Sequence, residues 1–148
     1  MVSNRLDKRV IYQGVKLWKP KTCEKHVKEV IIARDGPQCI KCQRTIEQAL
    51  REGRNYITVS HWEHRGHLGT KYDPWNQCLG CEHCHTFGWE YEKQDWYRRW
   101  MVKQYGEPFL DVLAYRARKP CRERDVIQAL MIDYGTWLQT GVFPGGPK

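Results

Sequence analysis

The sequence predicts an α+β fold: a small strand–loop–strand–helix centre, dense in cysteine and histidine, flanked by N- and C-terminal helices. Three observations lead there. Apolar residues recur at helical spacing at Cys23, Val27, Val30 and Ile31, and again at Val126, Leu130, Tyr134, Trp137 and Leu138. The run "NYITVS", residues 55–60, is rich in β-branched and aromatic residues, as a strand requires. The segment "VSHWEHRGHLGTKYDPWNQCLGCEHCH", residues 59–85, holds five of the six histidines and three of the seven cysteines.

Taken in order, residues 1–20 read as an irregular, basic N-terminal arm that Pro20 closes. A helix begins at Thr22 and stops at "RDGP", residues 34–37, a strong turn signal. A short helix over Thr45 to Arg51 is closed by Gly53. The strand at 55–60 follows, then a loop or hairpin return over 64–75, where Gly66, Gly69 and Pro74 fall. From Cys81 a helix is expected to about Tyr105, broken near Gly88, then helices over Phe109 to Arg118 and Arg122 to Gln139. The stripe on the last of these is core spacing. Residues 21–140 therefore form one domain, and "GVFPGGPK", 141–148, is a flexible tail.

The apolar fraction is modest, but seven Trp and eight Tyr are enough to fill a small core. No apolar run approaches the length of a membrane span. The first ten residues lack the apolar stretch of a secretory signal, so a cytosolic location is the expectation. Disulfides are rare there, and seven cysteines point to thiolate–metal ligation. "CIKC", Cys39 to Cys42, is one knuckle, two residues between ligands letting the backbone curl round an ion. Its partner comes from Cys78, Cys81 and Cys84. The favoured set is a structural zinc site of four thiolates, Cys39, Cys42, Cys81 and Cys84, with Cys78 the alternative to Cys84. Cys23 and Cys121 read as packed apolar side chains.

The net charge is +8, and the excess sits unevenly. Nine basic against three acidic side chains fall in residues 1–34. Such a balance suits a polyanion, whose counterions Lys and Arg displace. Lys16, Lys19, Lys21, Lys25 and Lys28, with Arg98 and Arg99, are the candidates to track a DNA backbone, and His67 is a further phosphate contact. Trp18, Trp62, Trp75 and Trp89 are candidates to stack on an unpaired base, at least half of them serving the core instead.

Four cysteines on zinc leave the histidines unexplained. His61 ends the strand, Asn76 follows after the loop, and His85 directly follows the second knuckle. Strand, loop, strand and helix, with His, Asn and His at these points, resemble the HNH, or His-Me finger, nucleases and their ββα-metal core. "NQCLGCEHCH" has the spacing of that pattern from Asn76 through Cys81 and Cys84 to His85, which settles the register in favour of Cys81 and Cys84. "HVKEVIIARDGPQCIKC" and "KYDPWNQCLGC" look like the phage lambda NinG, or Rap, family, and "YRRWMVKQYG" and "IDYGTWL" match it more loosely. The likeness spans about residues 20–140. The core with paired knuckles also resembles junction-resolving endonuclease VII.

The resemblance implies a metal-dependent, structure-specific endonuclease acting on branched DNA such as D-loops and Holliday junctions, in the cytoplasm of a phage-infected host. In that chemistry His61 is the general base, suited by an ordinary pKa of about 6.5. Asn76 orients the loop or the base by hydrogen bonds. One hard ion, Mg²⁺ or Mn²⁺, binds the scissile phosphate, with His85 as its ligand. Many family members place Asp or His before the base; this chain has Ser60, a poor ligand, and Glu63 or His64 is the candidate to supply another. Symmetric resolution of a junction calls for a homodimer, though no stripe marks an interface. The competing expectation is a zinc-stabilised DNA-binding module that has lost catalysis.

Overall fold

The computed structural model describes residues 16–85 and 95–148. Most of the N-terminal arm, the break expected near Gly88, and Trp89 lie outside them.

The chain starts helix α1 at Pro20–Asp35. Pro20 opens this helix rather than closing the arm: at the first helical position its missing N–H is one that no intrahelical carbonyl needs. Cys23, Val27, Val30 and Ile31 form the buried stripe that the spacing predicts. The helix ends at Gly36, whose φ of 85° lets its N–H reach the Ile32 carbonyl at 2.8 Å. Helix α2, Ile46–Arg51, begins with a capping box: the Thr45 hydroxyl accepts from Gln48 N–H, and the Gln48 side chain accepts from Thr45 N–H.

Strands β1, Ile57–His61, and β2, Gln77–Cys81, form an antiparallel pair in which Ile57 faces Cys81 and His61 faces Gln77. The hairpin return holds more structure than a loop. Helix α3, Leu68–Lys71, and a 3-10 turn, Pro74–Asn76, lie within it. Cys81, expected to begin a helix, is instead the last residue of β2, and residues 82–85 turn helical after it.

All five residues of β2 are buried because the hairpin is covered on both sides. Alternation puts Val59, His61, Leu79 and Gln77 on one face and Ser60 with Cys78 on the other. Val27 of α1 shares a cleft with Val59, His61 and Gln77. The opposite face meets Tyr97 of helix α4, Asp95–Tyr105, whose hydroxyl donates to the Ser60 carbonyl at 3.3 Å. Helices α5, Glu107–Arg118, and α6, Glu123–Thr140, close the core, with Leu113 and Leu130 buried. Gly69 of α3 lies against α5 so closely that a Cβ there would overlap the Arg116 carbonyl oxygen.

The closing segment, expected as a flexible tail, is packed. Phe143 is buried, the Trp75 indole N–H donates to the Pro144 carbonyl at 3.1 Å, and Arg116 donates to the Gly145 carbonyl at 2.6 Å. Its composition says nothing about these tertiary contacts. No described helix is long and apolar enough to cross a membrane.

Candidate metal centre and histidine cleft

The first knuckle follows α1 and the second straddles the end of β2, so the hairpin edge brings them together. Ile40 N–H donates to the Leu79 carbonyl at 3.0 Å, which fixes the first knuckle beside β2. The four sulfurs of Cys39, Cys42, Cys81 and Cys84 then lie within 4.8 Å of one another. A tetrahedron of Zn–S bonds of about 2.3 Å has an edge of about 3.8 Å, and Cys42 and Cys81 are 3.7 Å apart at sulfur. This donor set fits zinc. Burial raises the Cys39 thiol, but backbone N–H groups of Cys42, Cys81 and Lys41 outweigh it and hold Cys39 below the usual thiol value. Cys84 N–H points at the Cys81 sulfur at 3.3 Å. Gln43, just past the first knuckle, takes a left-handed φ of 64° to complete the curl.

Cys78 is outside the cluster. It is fully buried beside Tyr97, and burial pushes its thiol up to about 12, the state of a packed neutral side chain. Cys23 is likewise buried and pushed up to about 11, chiefly by desolvation. Cys121 is half-buried against the core.

His61 sits at the other end of the hairpin. Its Nε2 lies 3.1 Å from the Lys71 carbonyl. A carbonyl oxygen only accepts, so the neutral ring carries its hydrogen on Nε2 and keeps its lone pair on Nδ1. Burial holds the imidazole below its ordinary value of 6.5; the Lys71 bond opposes the shift and the Arg65 charge adds to it. The ring is therefore neutral at physiological pH.

Asn76 is fully buried and fixes the segment that follows His61. Its Oδ1 accepts from Glu63 N–H at 2.7 Å, while Nδ2 donates to the carbonyls of Glu63 at 3.0 Å and Thr70 at 3.3 Å. The Asn76 carbonyl accepts from Trp62 N–H at 2.8 Å.

His61 lines a cleft of about 470 Å³ between α1 and the hairpin. Lys21, Lys25 and Lys28 border it, because spacings of four and three residues put them on one face of α1. Arg65 and Lys71 border it too, and among the described residues Glu24 is the one acidic residue in its lining. Sequence reading missed Arg65, Lys71 and Gln77. Their position depends on the fold of the hairpin return, and no spacing signals it.

The remaining predicted residues are more scattered. Ser60 is buried on the opposite face of the hairpin from His61, with no hydrogen-bond partner for its hydroxyl among the described residues. The Glu63 carboxylate lies 3.7 Å from Arg118. His64 is exposed, and its Nδ1 accepts from Gly66 N–H at 2.9 Å. His67 caps α3 without a side-chain cap bond, and His85 lies half-buried in the helical turn after Cys84. Among the described residues, the cysteine cluster is the one group of three or more Cys, His, Asp or Glu whose donor atoms converge; His85, Glu63 and His64 do not join His61 in another. Lys16 and Lys19 are exposed ahead of α1, outside the cleft lining. Arg98 and Arg99 also stand apart from it on α4, paired with Glu107 at 2.5 Å and Asp95 at 3.4 Å. Trp18 packs on His26 and Tyr134, Trp62 on Tyr97, and Trp75 on Tyr105, which makes each part of the core margin.

Comparison with protein-family models, with curated proteins and with solved structures finds no match to this chain.

Proposed function

We propose that the protein is a metal-dependent endonuclease of the His-Me finger class, of NinG type, that hydrolyses phosphodiester bonds in branched DNA. The observation that carries this reading is the setting of His61: a neutral imidazole, anchored through Nε2, in a cleft bordered by five cationic side chains and one acidic one. That arrangement suits a phosphate backbone laid beside a base. In the reaction a water gives its proton to His61 Nδ1 as its oxygen attacks phosphorus, and the bond to the 3′-oxygen breaks. Lys21, Lys25, Lys28, Arg65 and Lys71 would hold the flanking phosphates. The structural cysteines take no part beyond holding the hairpin. The divalent ion, Mg²⁺ or Mn²⁺, comes from the family resemblance. The resemblance gives His85 as its protein ligand, and the ion would supply positive charge near the phosphate. His85 follows the second knuckle at the opposite end of the hairpin from His61 and, among the described residues, does not converge with it in a donor group, so no step is routed through the ion. The choice of D-loops or Holliday junctions as substrates, and a homodimer to match their symmetry, rest on the same resemblance.

A second reading has its own support. Ser60 faces away from His61, and among the described residues no carboxylate joins His61 in a donor cluster of three or more. A zinc-stabilised module that binds branched DNA without cutting it would keep the basic cleft and need nothing more.

The zinc-loaded protein should be incubated with labelled four-way junction, D-loop and linear duplex, with Mg²⁺ or Mn²⁺. Branched substrates are expected to be cleaved, and His61→Ala of unchanged fold and zinc content to lose about 10²- to 10⁴-fold in rate. The wild-type rate should rise with pH up to a pKa below 6.5 and then level, because burial depresses His61. Cleavage that survives His61→Ala removes this residue as the base. Tight junction binding with no cleavage favours the second reading.

A further inference from the structure

The geometry points to Arg34 as the positioning residue for His61. It belongs to the last turn of α1, and its side chain is only 20% exposed. It does not line the His61 cleft; it faces the apolar side of α1, beside Trp75 and Phe143. Its guanidinium makes hydrogen bonds in two directions. Nε and Nη2 grip both oxygens of Asp35, at 2.8 and 2.6 Å. Nη1 donates to the Pro74 carbonyl at 2.8 Å and Nη2 to the Gln77 carbonyl at 2.7 Å. The rings of Trp75 and Tyr105 lie 5.9 and 5.8 Å from its central carbon. The fork and the flanking rings leave the side chain little freedom.

The two carbonyls it holds bracket Asn76. From there the connection to His61 runs along two routes. Asn76 clamps Glu63 and Thr70, the segment between His61 and its anchor. Gln77 pairs with His61 across the hairpin, and its Nε2 donates to the Lys71 carbonyl at 2.7 Å. That carbonyl is the one that holds His61 Nε2. Arg34 therefore fixes the carbonyl that selects the tautomer of His61, without touching the ring. The catalytic consequence rests on the reading of His61 as a base; the claim about tautomer and orientation does not.

Lysine cannot replace it. An ammonium has three donors on a single atom, but it lacks the fork for Asp35 and the flat face for the rings. The test uses the zinc-loaded full chain with labelled histidine and reads the imidazole nitrogens of His61 by long-range ¹H–¹⁵N NMR. Wild type is expected to show hydrogen on Nε2 and a titration below the ordinary histidine range. Arg34→Lys, with zinc content and helical signal unchanged, is expected to show mixed tautomers and a titration moved up towards that range. A wild-type ring with hydrogen on Nδ1, or a folded Arg34→Lys with unchanged His61 signals, overturns the inference. If Arg34→Lys does not fold, Asp35→Asn, which weakens the grip on the guanidinium, decides by the same signals: movement in the same direction supports it, no movement overturns it. Where wild type cleaves DNA, Arg34→Lys should lower kcat by about 10- to 100-fold with KM little changed. A wild type that shows the fixed tautomer but cuts no DNA supports the positioning role and counts against the nuclease.

Discussion

Asn76 directs every polar atom of its side chain at the segment that follows His61. Replacing it by alanine leaves the Glu63 N–H and the Glu63 and Thr70 carbonyls without this buried partner. A fully buried orphan costs about 1–3 kcal/mol. The Thr70 carbonyl is one, and the two Glu63 groups are only part-buried and cost less, so Asn76→Ala should lower stability by about 2–4 kcal/mol in denaturant titration at fixed zinc. A loss under about 0.5 kcal/mol would mean that water replaces the amide and that the residue does not hold the loop. How much of this is legible in sequence differs by residue. Cys81 and Cys84 stand in one Cys-x-x-Cys, as Cys39 and Cys42 do, so their convergence can be read from spacing. Arg34 cannot be read that way. It lies inside "RDGP", a stretch that explains itself as a turn, and its acceptors are 40 and 43 residues away.

At the scale of elements, α1 carries two faces, and Arg34 ends the apolar one. Cys23, Val27, Val30 and Ile31 meet the core, Lys21, Lys25 and Lys28 meet the cleft, and Arg34 reaches the start of β2. If the lysine face tracks phosphates, replacing all three lysines by alanine should weaken binding to every DNA sequence. The slope of log affinity against log salt should fall by about 0.9 for each duplex phosphate no longer neutralised. An unchanged slope in a folded triple variant would place the nucleic acid elsewhere. The apolar stripe of this helix was predictable because its period is local. Helix α3 and the 3-10 turn were not. They span four and three residues and are held by side-chain bonds, to Thr70 from Asn76 six residues on and to Pro74 from Arg34 forty residues back, rather than by intrinsic propensity. Ser60 shows the same limit from the other side: its alternation away from His61 could be read, but the presence of Tyr97 against that face could not.

For the whole molecule, the cysteine cluster ties the segment after α1 to the end of the hairpin. Wild type should bind one equivalent of zinc, and Cys81→Ser should lose it and melt at lower temperature, by metal analysis and calorimetry. Full retention of the ion would remove Cys81 from the ligand set. The two halves of the cluster are 39 residues apart at Cys42 and Cys81, and Arg34 reaches carbonyls 40 and 43 residues away. Both links therefore close nearly the same loop of chain. Closing a loop of that length costs about 3 kcal/mol of chain entropy, and whichever link forms first removes most of that cost from the other. Uptake of metal and seating of the Arg34 clamp are thus linked steps of folding. A chelator should loosen the segment around His61, at the far end of the hairpin, as well as the knuckles it strips, and hydrogen exchange at Glu63 N–H would follow the occupancy of the sulfurs.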